Sequence, residues 1–222
     1  PSMSVKCVIF DFNGTLFFDY KENKDSWNEI SVKYRGRPFE EDEYLSMIGM
    51  TDRAFAAHIT GETDERKLDE VGHEKEEIYL DMCRERGLQV EKDAILFFEE
   101  CIKRGVKIMI ASSAPKENMD WYIENLGLTR WFRKEDIIAG RYDIPSKPSP
   151  DIYIYTQKLS AFAKEDCIAF EDGPGGIRSA LGAEFRRVYA VLSPGVDTSL
   201  TGKLAPLVDW KYVKDNPDLI LS

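Results

Sequence analysis

The stretch VIFDFNGTLF, residues 8–17, joins an apolar run to an acidic residue and then to a turn signal. The apolar and β-branched residues of segment 5–10, VKCVIF, predict a short buried strand. The Asn-Gly pair that begins at Asn13 predicts a turn soon after it. Asp11 is therefore expected at the carboxyl end of a buried strand, two residues before the amide of Asn13.

The sequence changes character after this strand. Four segments between about 24 and 87 combine helical periodicity with acidic starts and a terminal Gly, as is typical of amphipathic helices. They are DSWNEISVKYRG, EEDEYLSMIG, TDRAFAAHITG and DERKLDEVGHEKEEIYLDMCRERG. We therefore predict a small all-helical cap domain over residues 17–89, inserted after the first strand.

Residues 90–222 return to an alternation of strands and helices. The predicted strands cover 106–111, 136–140, 167–171 and 186–192, and the predicted helices cover 92–104, 115–126, 149–159 and 175–182. Strands that alternate with helices form parallel sheets with helices on both faces. The predicted fold is an α/β, doubly wound parallel sheet, built from residues 1–16 and 90–222.

Length and charge limit the classes of partner. The 222 residues are 43% hydrophobic, enough for one large domain or a core with a smaller companion. The formal charge of −10 repels phosphate backbones and anionic lipids, so we expect neither a nucleic-acid nor a membrane partner. No apolar run reaches the roughly 18 residues of a membrane span, and the opening PSMSVK lacks the apolar stretch of a signal peptide. We expect a cytoplasmic protein.

Cysteine and histidine usage disfavours several kinds of site. The 4 cysteines are far apart and form no C-x-x-C pair, which predicts buried thiols. With only His58 and His73, a histidine-based metal site or a Ser-His-Asp triad has little support, and both residues are predicted on helix surfaces or in packing. Four aromatic residues have core spacing and are predicted to pack: Trp121, Tyr122, Trp131 and Phe132.

Polar residues follow three predicted strands and occupy one loop. They are Asp11, Ser112 with Ser113, Lys147, and Glu171 with Asp172. Each one alone fits an ordinary role, such as a turn residue, an N-cap or a surface lysine. Ligands of open α/β sheets, however, bind beyond the carboxyl ends of the strands. Their occurrence together, in this order, indicates one site at that edge.

Four segments resemble the motifs of a known enzyme group, the haloacid dehalogenase superfamily of phosphotransferases. In chain order they are DFNGT (11–15), IASS (110–113), SKPSPD (146–151) and FEDGPGGIRSALGAE (170–184). A helical insertion directly after the first motif is similar to the cap of the branch that contains β-phosphoglucomutase and small sugar-phosphate phosphatases. The resemblance implies a Rossmann-like core and phosphoryl transfer.

The resemblance also implies a role for individual residues. Asp11 would be the nucleophile and form an aspartyl-phosphate, while Lys147 would offset the negative charge that meets there. The hydroxyl of Ser112 would hold phosphoryl oxygens, together with backbone N–H groups at Asn13 and beyond Ser113.

The implied cofactor is Mg²⁺, a cation that prefers oxygen ligands. Its implied ligands are Asp11, the main-chain carbonyl of Asn13, Asp172, and Glu171 directly or through water. Gly14 would let the backbone pass close to the ligand, and Thr15 would hold Asp11 in place.

Asn13 departs from the family pattern, in which a second Asp protonates the leaving oxygen and later takes a proton from water. An amide cannot do either, because it does not titrate near neutrality. Three interpretations stay open: an engineered replacement of Asp, natural use of good leaving groups or of an acid from the cap, and a phosphate-binding protein with little activity. Carbon–halogen and carbon–phosphorus cleavage are disfavoured, because Lys147 and Ser112 indicate a phosphate site.

The cap offers candidate substrate contacts in Gly49, Arg53 and Lys75, whose alternative role is as solvated or turn residues. The predicted function is a Mg²⁺-dependent phosphatase that acts on a small phosphorylated metabolite, as a monomer or weak homodimer. The alternatives are a β-phosphoglucomutase-like phosphosugar mutase and a catalytically impaired protein that binds a phosphorylated ligand.

Overall fold

The computed structural model describes residues 4–141 and 143–222. Residues 1–3, which open the predicted core, and residue 142 lie outside the described residues. The chain divides into two compact units, one of Pro1–Phe18 with Gln89–Ser222 and one of Asp19–Leu88. Residues 17, 18 and 89 thus belong to the first unit and not to the insertion. The physical reason is that Phe17 is buried in the first unit, where its ring stacks on Phe12.

The first unit is built on a six-stranded sheet in which every pair of neighbouring strands is parallel. The strands are β1 (Cys7–Phe10), β2 (Lys107–Ala111), β3 (Ile137–Ile138), β4 (Cys167–Glu171), β5 (Arg187–Val191) and β6 (Leu207–Val208). Their order is β3-β2-β1-β4-β5-β6, so the chain adds strands on one side of β1 and then on the other. This confirms the predicted doubly wound parallel sheet.

Both faces of the sheet are buried, which is why its strands are apolar at nearly every position. On one face, Cys7 and Ile9 join a core cluster with residues of β2, β4 and β5. On the other face, the ring of Phe10 stacks on Phe170 and meets Trp210. The predicted strand at 136–140 is shorter than expected, because the Gly140 N–H bonds to a loop carbonyl instead of continuing the ladder.

Seven helices and three short 3₁₀ turns flank the sheet in the described part of this unit. The helices are α5 (Lys92–Lys103), α6 (Lys116–Asn125), α7 (Asp151–Ser160), α8 (Pro174–Gly182), α9 (Thr198–Leu204), α10 (Trp210–Asp215) and α11 (Pro217–Ile220), and the turns are Leu128–Arg130, Lys134–Asp136 and Lys164–Asp166. The sequence predicted α5 to α8. It did not predict β6 and the helices after β5, which are short.

The second unit contains four helices and no strand across residues 19–88, all of which the structure describes. The helices are α1 (Tyr20–Arg35), α2 (Glu41–Met47), α3 (Asp52–Thr60) and α4 (Glu65–Glu85). Gly36 and Gly61 end α1 and α3 in the left-handed conformation that favours glycine. The helices bury one apolar core, in which Trp27 stacks on Phe55 at 4.6 Å.

Several predictions about single residue types are confirmed. All 4 cysteines are buried free thiols. His58 and His73 lie on helices with exposed side chains, each beside a glutamate.

Among the helices that the structure describes, none combines the length and the apolar character needed to cross a bilayer.

Candidate active site

The register of three strands brings the predicted polar residues to one edge of the sheet. Phe10 at the end of β1 pairs with Ile110 of β2 and with Phe170 of β4. The residues that follow these three positions therefore reach the same level at the carboxyl edge. Asp11 comes after β1 in this way, between Ala111 on one side and Glu171 on the other.

Lys147 joins these three positions. Its ammonium donates hydrogen bonds to Asp11 Oδ1 at 2.9 Å, to Glu171 Oε1 at 2.6 Å and to the Ala111 carbonyl at 3.1 Å. An ammonium has three N–H donors, so each of them has an acceptor here. Burial favours the neutral amine, but the charges of Asp11 and Glu171 outweigh it and raise the pKa of Lys147 above its ordinary value. The lysine is therefore a fixed positive charge.

Thr15 and Gly14 position two of the carboxylates. The Thr15 hydroxyl donates to Asp11 Oδ2 at 2.9 Å and lies 3.1 Å from Asp172 Oδ1, so one proton is shared between two acceptors. Gly14 has a φ of +79°, and a Cβ on it would lie 2.2 Å from Asp172 Oδ2. Only glycine allows the turn and the close approach of Asp172 together.

Three carboxylates form a cluster with an excess of negative charge. One oxygen from each of Asp11, Glu171 and Asp172 lies within 4.8 Å of the others. The ammonium of Lys147 bonds to two of them, Asp11 and Glu171. Burial and the charge of Asp11 raise the pKa of Glu171 to about 8, and burial with the charges of Asp11 and Glu171 raises that of Asp172 well above its usual range.

Asp11 differs from the other two carboxylates. Burial alone would raise its pKa, but the ammonium of Lys147 and the hydrogen bonds to the side chain hold that pKa below its ordinary value. The nucleophile candidate is therefore ionised, while its neighbours resist ionisation. A divalent cation would favour ionisation of Glu171 and Asp172 and balance their charge, and carboxylate oxygens are the ligands that Mg²⁺ prefers. The residues of this cluster fit such a cation.

Ser112 and Ser113 follow β2. Ser112 is buried, and its hydroxyl oxygen accepts a hydrogen bond from the Ala114 N–H at 3.0 Å. Its proton is thereby directed away from the Ala114 N–H. Ser113 is exposed, and a Cβ on Gly140 would lie 2.5 Å from its carbonyl oxygen, so glycine lets these loops approach each other.

Asn13 is held by a side chain that the sequence assigned to packing. Its Nδ2 donates to the hydroxyl of Tyr122 at 2.9 Å, and the Tyr122 ring lies 4.6 Å from that of Phe12. The prediction that Tyr122 is buried is confirmed, but packing is only part of its role. Asn13 and Tyr122 are separated by 109 positions in the sequence, so no local signal indicated this bond.

The three candidate cap residues lie in the second unit, and their contribution to substrate binding stays a prediction. Gly49 occupies an exposed turn at φ +91°. Arg53 forms a two-bond ion pair with Asp69 at 2.7 and 2.9 Å. The alternative prediction that Lys75 is a solvated surface residue is wrong. Its ammonium is buried and donates to Asn23 Oδ1 at 2.7 Å.

Three residues of the site were not predicted from the sequence. The Tyr153 hydroxyl donates to Glu171 Oε1 at 2.5 Å, and Gly176 leaves room for Glu171 Oε2. The Trp210 indole N–H donates to the Thr15 carbonyl at 2.7 Å. A signal existed for Gly176, in the motif FEDGPGG, and for Tyr153, which lies in the predicted helix directly after the SKPSPD motif. Trp210, 195 residues from Thr15, had none.

Gly14→Ala tests whether the close approach to Asp172 matters. We expect at least about a tenfold fall in turnover, because the added Cβ would displace Asp172 from the carboxylate cluster. Gly36→Ala is the matched control: it has the same φ of +79° but open space around its Cβ. Both carry a backbone cost of about 1 kcal/mol. Equal activity of the two variants, measured by phosphate release, would contradict the importance of this contact.

Comparisons with known proteins agree with this fold. A HAD hydrolase of family IA, variant 3, from Entamoeba histolytica has a TM-score of 0.85 at 32% identity, covering 91% of this chain and 92% of that one. A point variant of CbbY from Rhodobacter sphaeroides, in complex with xylulose-(1,5)bisphosphate, has a TM-score of 0.76 at 20% identity, covering 92% and 93%. The fold is thus shared even at low identity.

Comparison with curated sequences and with family models gives further matches. The chloroplastic protein Suppressor of Quenching 1 from Arabidopsis thaliana is 24% identical over 190 residues, which are 82% of this chain; the chain spans only 17% of that protein's length. The profile of the haloacid dehalogenase-like hydrolases matches residues 5–184, which include all four motifs. This chain therefore belongs to the haloacid dehalogenase-like hydrolase family.

Proposed function

We propose that this chain is a Mg²⁺-dependent phosphatase that hydrolyses a small phosphorylated metabolite through an aspartyl-phosphate on Asp11. The environment of that carboxylate carries the proposal. Lys147 bonds to one of its oxygens and Thr15 to the other, each at 2.9 Å. A fixed, ionised carboxylate beside an ammonium is suited to nucleophilic attack on phosphorus, because no separate base has to activate it.

The reaction would proceed in two half-reactions. An oxygen of Asp11 forms a bond to phosphorus while the bond from phosphorus to the ester oxygen breaks, and the alcohol oxygen leaves with that electron pair and takes up a proton from solvent. Water then loses a proton to solvent and attacks the phosphorus of the aspartyl-phosphate, which releases inorganic phosphate and restores the carboxylate. Lys147 offsets the repulsion between the carboxylate and the anionic phosphoryl group in both halves.

Ser112 would bind an oxygen of the phosphoryl group. Its hydroxyl oxygen already accepts from Ala114 N–H, so the hydroxyl proton is available to donate. Backbone N–H groups at Asn13 and beyond Ser113 would add donors, as is common for phosphate sites near helix N-termini. These donors orient the phosphorus toward the carboxylate of Asp11.

Mg²⁺, when bound, supplies positive charge that offsets the charge of the phosphoryl group. Asp11 and Asp172 would hold it with the main-chain carbonyl of Asn13, and Glu171 would contribute directly or through water. Thr15, which bonds to Asp11 and lies within hydrogen-bond distance of Asp172, keeps these two carboxylates side by side for that purpose.

Asn13 limits this chemistry to substrates that need little acid assistance. A positioned acid–base group contributes on the order of 10²–10⁴ in rate, and the amide of Asn13 donates to Tyr122 instead of offering a titratable proton. Substrates with good leaving groups, such as acyl phosphates, are expected to react fastest. The same observation favours one rival, a catalytically impaired protein that binds a phosphorylated ligand.

Sugar phosphates are the first substrates to test. The CbbY variant with a similar fold was crystallised with xylulose-(1,5)bisphosphate, and the family to which the chain belongs is one of hydrolases. Hydrolysis is therefore preferred over phosphosugar mutase action for this chain.

A phosphate-release assay tests the proposal. The full chain is incubated with sugar phosphates, other phosphate esters and acyl phosphates, with Mg²⁺ or with a chelator. We expect Mg²⁺-dependent release, fastest from acyl phosphates. Conversion of one sugar phosphate into its isomer without release would indicate a mutase. If neither this chain nor Asn13→Asp releases phosphate from any substrate, the binding protein is the better account.

A further inference from the structure

Tyr153 contacts the carboxylate cluster of Asp11, Glu171 and Asp172 through its hydroxyl, which bonds to Glu171. It belongs to α7, its side chain is fully buried, and its hydroxyl donates to Glu171 Oε1 at 2.5 Å. The ammonium of Lys147 lies 5.1 Å from the centre of the Tyr153 ring, within the range of a cation–π contact. One side chain thus contacts both the anion and the cation that border Asp11.

The carboxylate of Glu171 is confined on both sides. Oε1 accepts from Tyr153 and also from Lys147 at 2.6 Å. Oε2 lies 2.1 Å from the point that a Cβ on Gly176 would occupy, so it is pressed against the backbone at the first turn of α8. Rotation of the carboxylate would break the two bonds to Oε1 or push Oε2 into that backbone.

We propose that Tyr153 is a positioning residue that fixes Glu171 for the divalent cation and keeps Lys147 centred on Asp11. This inference rests on the proposed function for the identity of the cation. Without the Tyr153 hydroxyl, Glu171 keeps a single side-chain donor on Oε1, the ammonium of Lys147, so the carboxylate and the ammonium beside Asp11 are held less firmly. Groups that hold a ligating carboxylate in this way typically change metal affinity by about 10–100-fold when removed.

Tyr153→Phe tests the role, because it removes one oxygen and keeps the ring. Tyr155→Phe is the matched control in the same helix: its hydroxyl accepts from the exposed Arg141 at 2.7 Å, in contact with none of the three carboxylates. Mg²⁺ binding to the full chain is measured by titration calorimetry without substrate. We expect Tyr153→Phe to bind Mg²⁺ at least about tenfold more weakly and Tyr155→Phe to bind as the parent does. Equal affinities in all three proteins would overturn the proposal.

A double variant distinguishes a positioning role of Tyr153 from a general packing role. In Glu171→Gln, adding Tyr153→Phe is expected to cause no further loss of Mg²⁺ affinity, because Tyr153 acts through the carboxylate of Glu171. An additional loss of the same size in that background would overturn the role, as would recovery of full affinity. Thermal unfolding confirms that each variant is folded. Since binding is read without turnover, failure of the phosphatase assay leaves this result interpretable on its own.

Discussion

Replacing Asn13 by Asp is expected to accelerate phosphate release from alkyl phosphate esters by about 10²–10⁴-fold. That range corresponds to about 3–5 kcal/mol of activation barrier. The reason is that an alkoxide is a poor leaving group unless a proton reaches it as the bond to phosphorus breaks. The new carboxyl group would supply that proton and later accept one from the attacking water.

The site can accommodate this change without rearrangement. Asn and Asp have nearly the same shape, and the partner of Asn13 is a hydroxyl, which can accept from an amide or donate to a carboxylate by rotating its proton. The Asn13→Asp variant therefore keeps its bond to Tyr122. Thermal unfolding of both proteins is expected to show similar midpoints.

The two half-reactions allow an internal control. Release of the leaving group in the first turnover is followed for an alkyl ester and for an acyl phosphate. We expect Asn13→Asp to accelerate this step for the ester and to change it little for the acyl phosphate, which needs no proton to leave. Unchanged ester cleavage would show that position 13 does not supply the acid, and would favour an acid from the cap.

Removing the carboxylate of Asp11 is expected to abolish turnover. Asp11→Asn should lower the rate by on the order of 10⁴-fold or more, the scale seen when a nucleophile is removed. The amide keeps one oxygen that can accept from Lys147, so the fold of the site is preserved. Asp120→Asn, which changes an exposed carboxylate paired with Lys116, is the control and should retain full activity. Comparable rates for the two variants would contradict the assignment of Asp11.

Local sequence patterns predicted most of the fold. The apolar runs that became β1, β2, β4 and β5 alternate with helical patterns in the sequence, and this alternation indicated a parallel sheet with both faces buried. The short strand β6 and the helices after β5 have too few residues for a periodic pattern. Strand β3 was predicted at 136–140 but has only 2 residues, because the Gly140 N–H bonds to a loop carbonyl instead of continuing the ladder.

The site was predictable where its residues stand in motifs, and not where contacts cross the chain. Asp11 and Glu171 meet because the register of β1 and β4 brings their segments to one level, and Lys147 reaches both from the loop before α7. The bond from Asn13 to Tyr122 and the bond from Trp210 to Thr15 depend on helix packing, which no local spacing reveals. Burial of Lys75 was missed for the same reason, because a lysine on an acidic helix resembles a solvated residue.

Phosphorylation of Asp11 is the central claim, and the amide at position 13 suits its detection because hydrolysis of the aspartyl-phosphate then lacks an acid–base group. The full chain is incubated with acetyl phosphate and Mg²⁺, quenched in acid and mapped by mass spectrometry, with Asp11→Asn in parallel. The account predicts one added phosphoryl group on the peptide that carries Asp11, and none in Asp11→Asn. A phosphoryl group on another residue, or one that persists in Asp11→Asn, would contradict it.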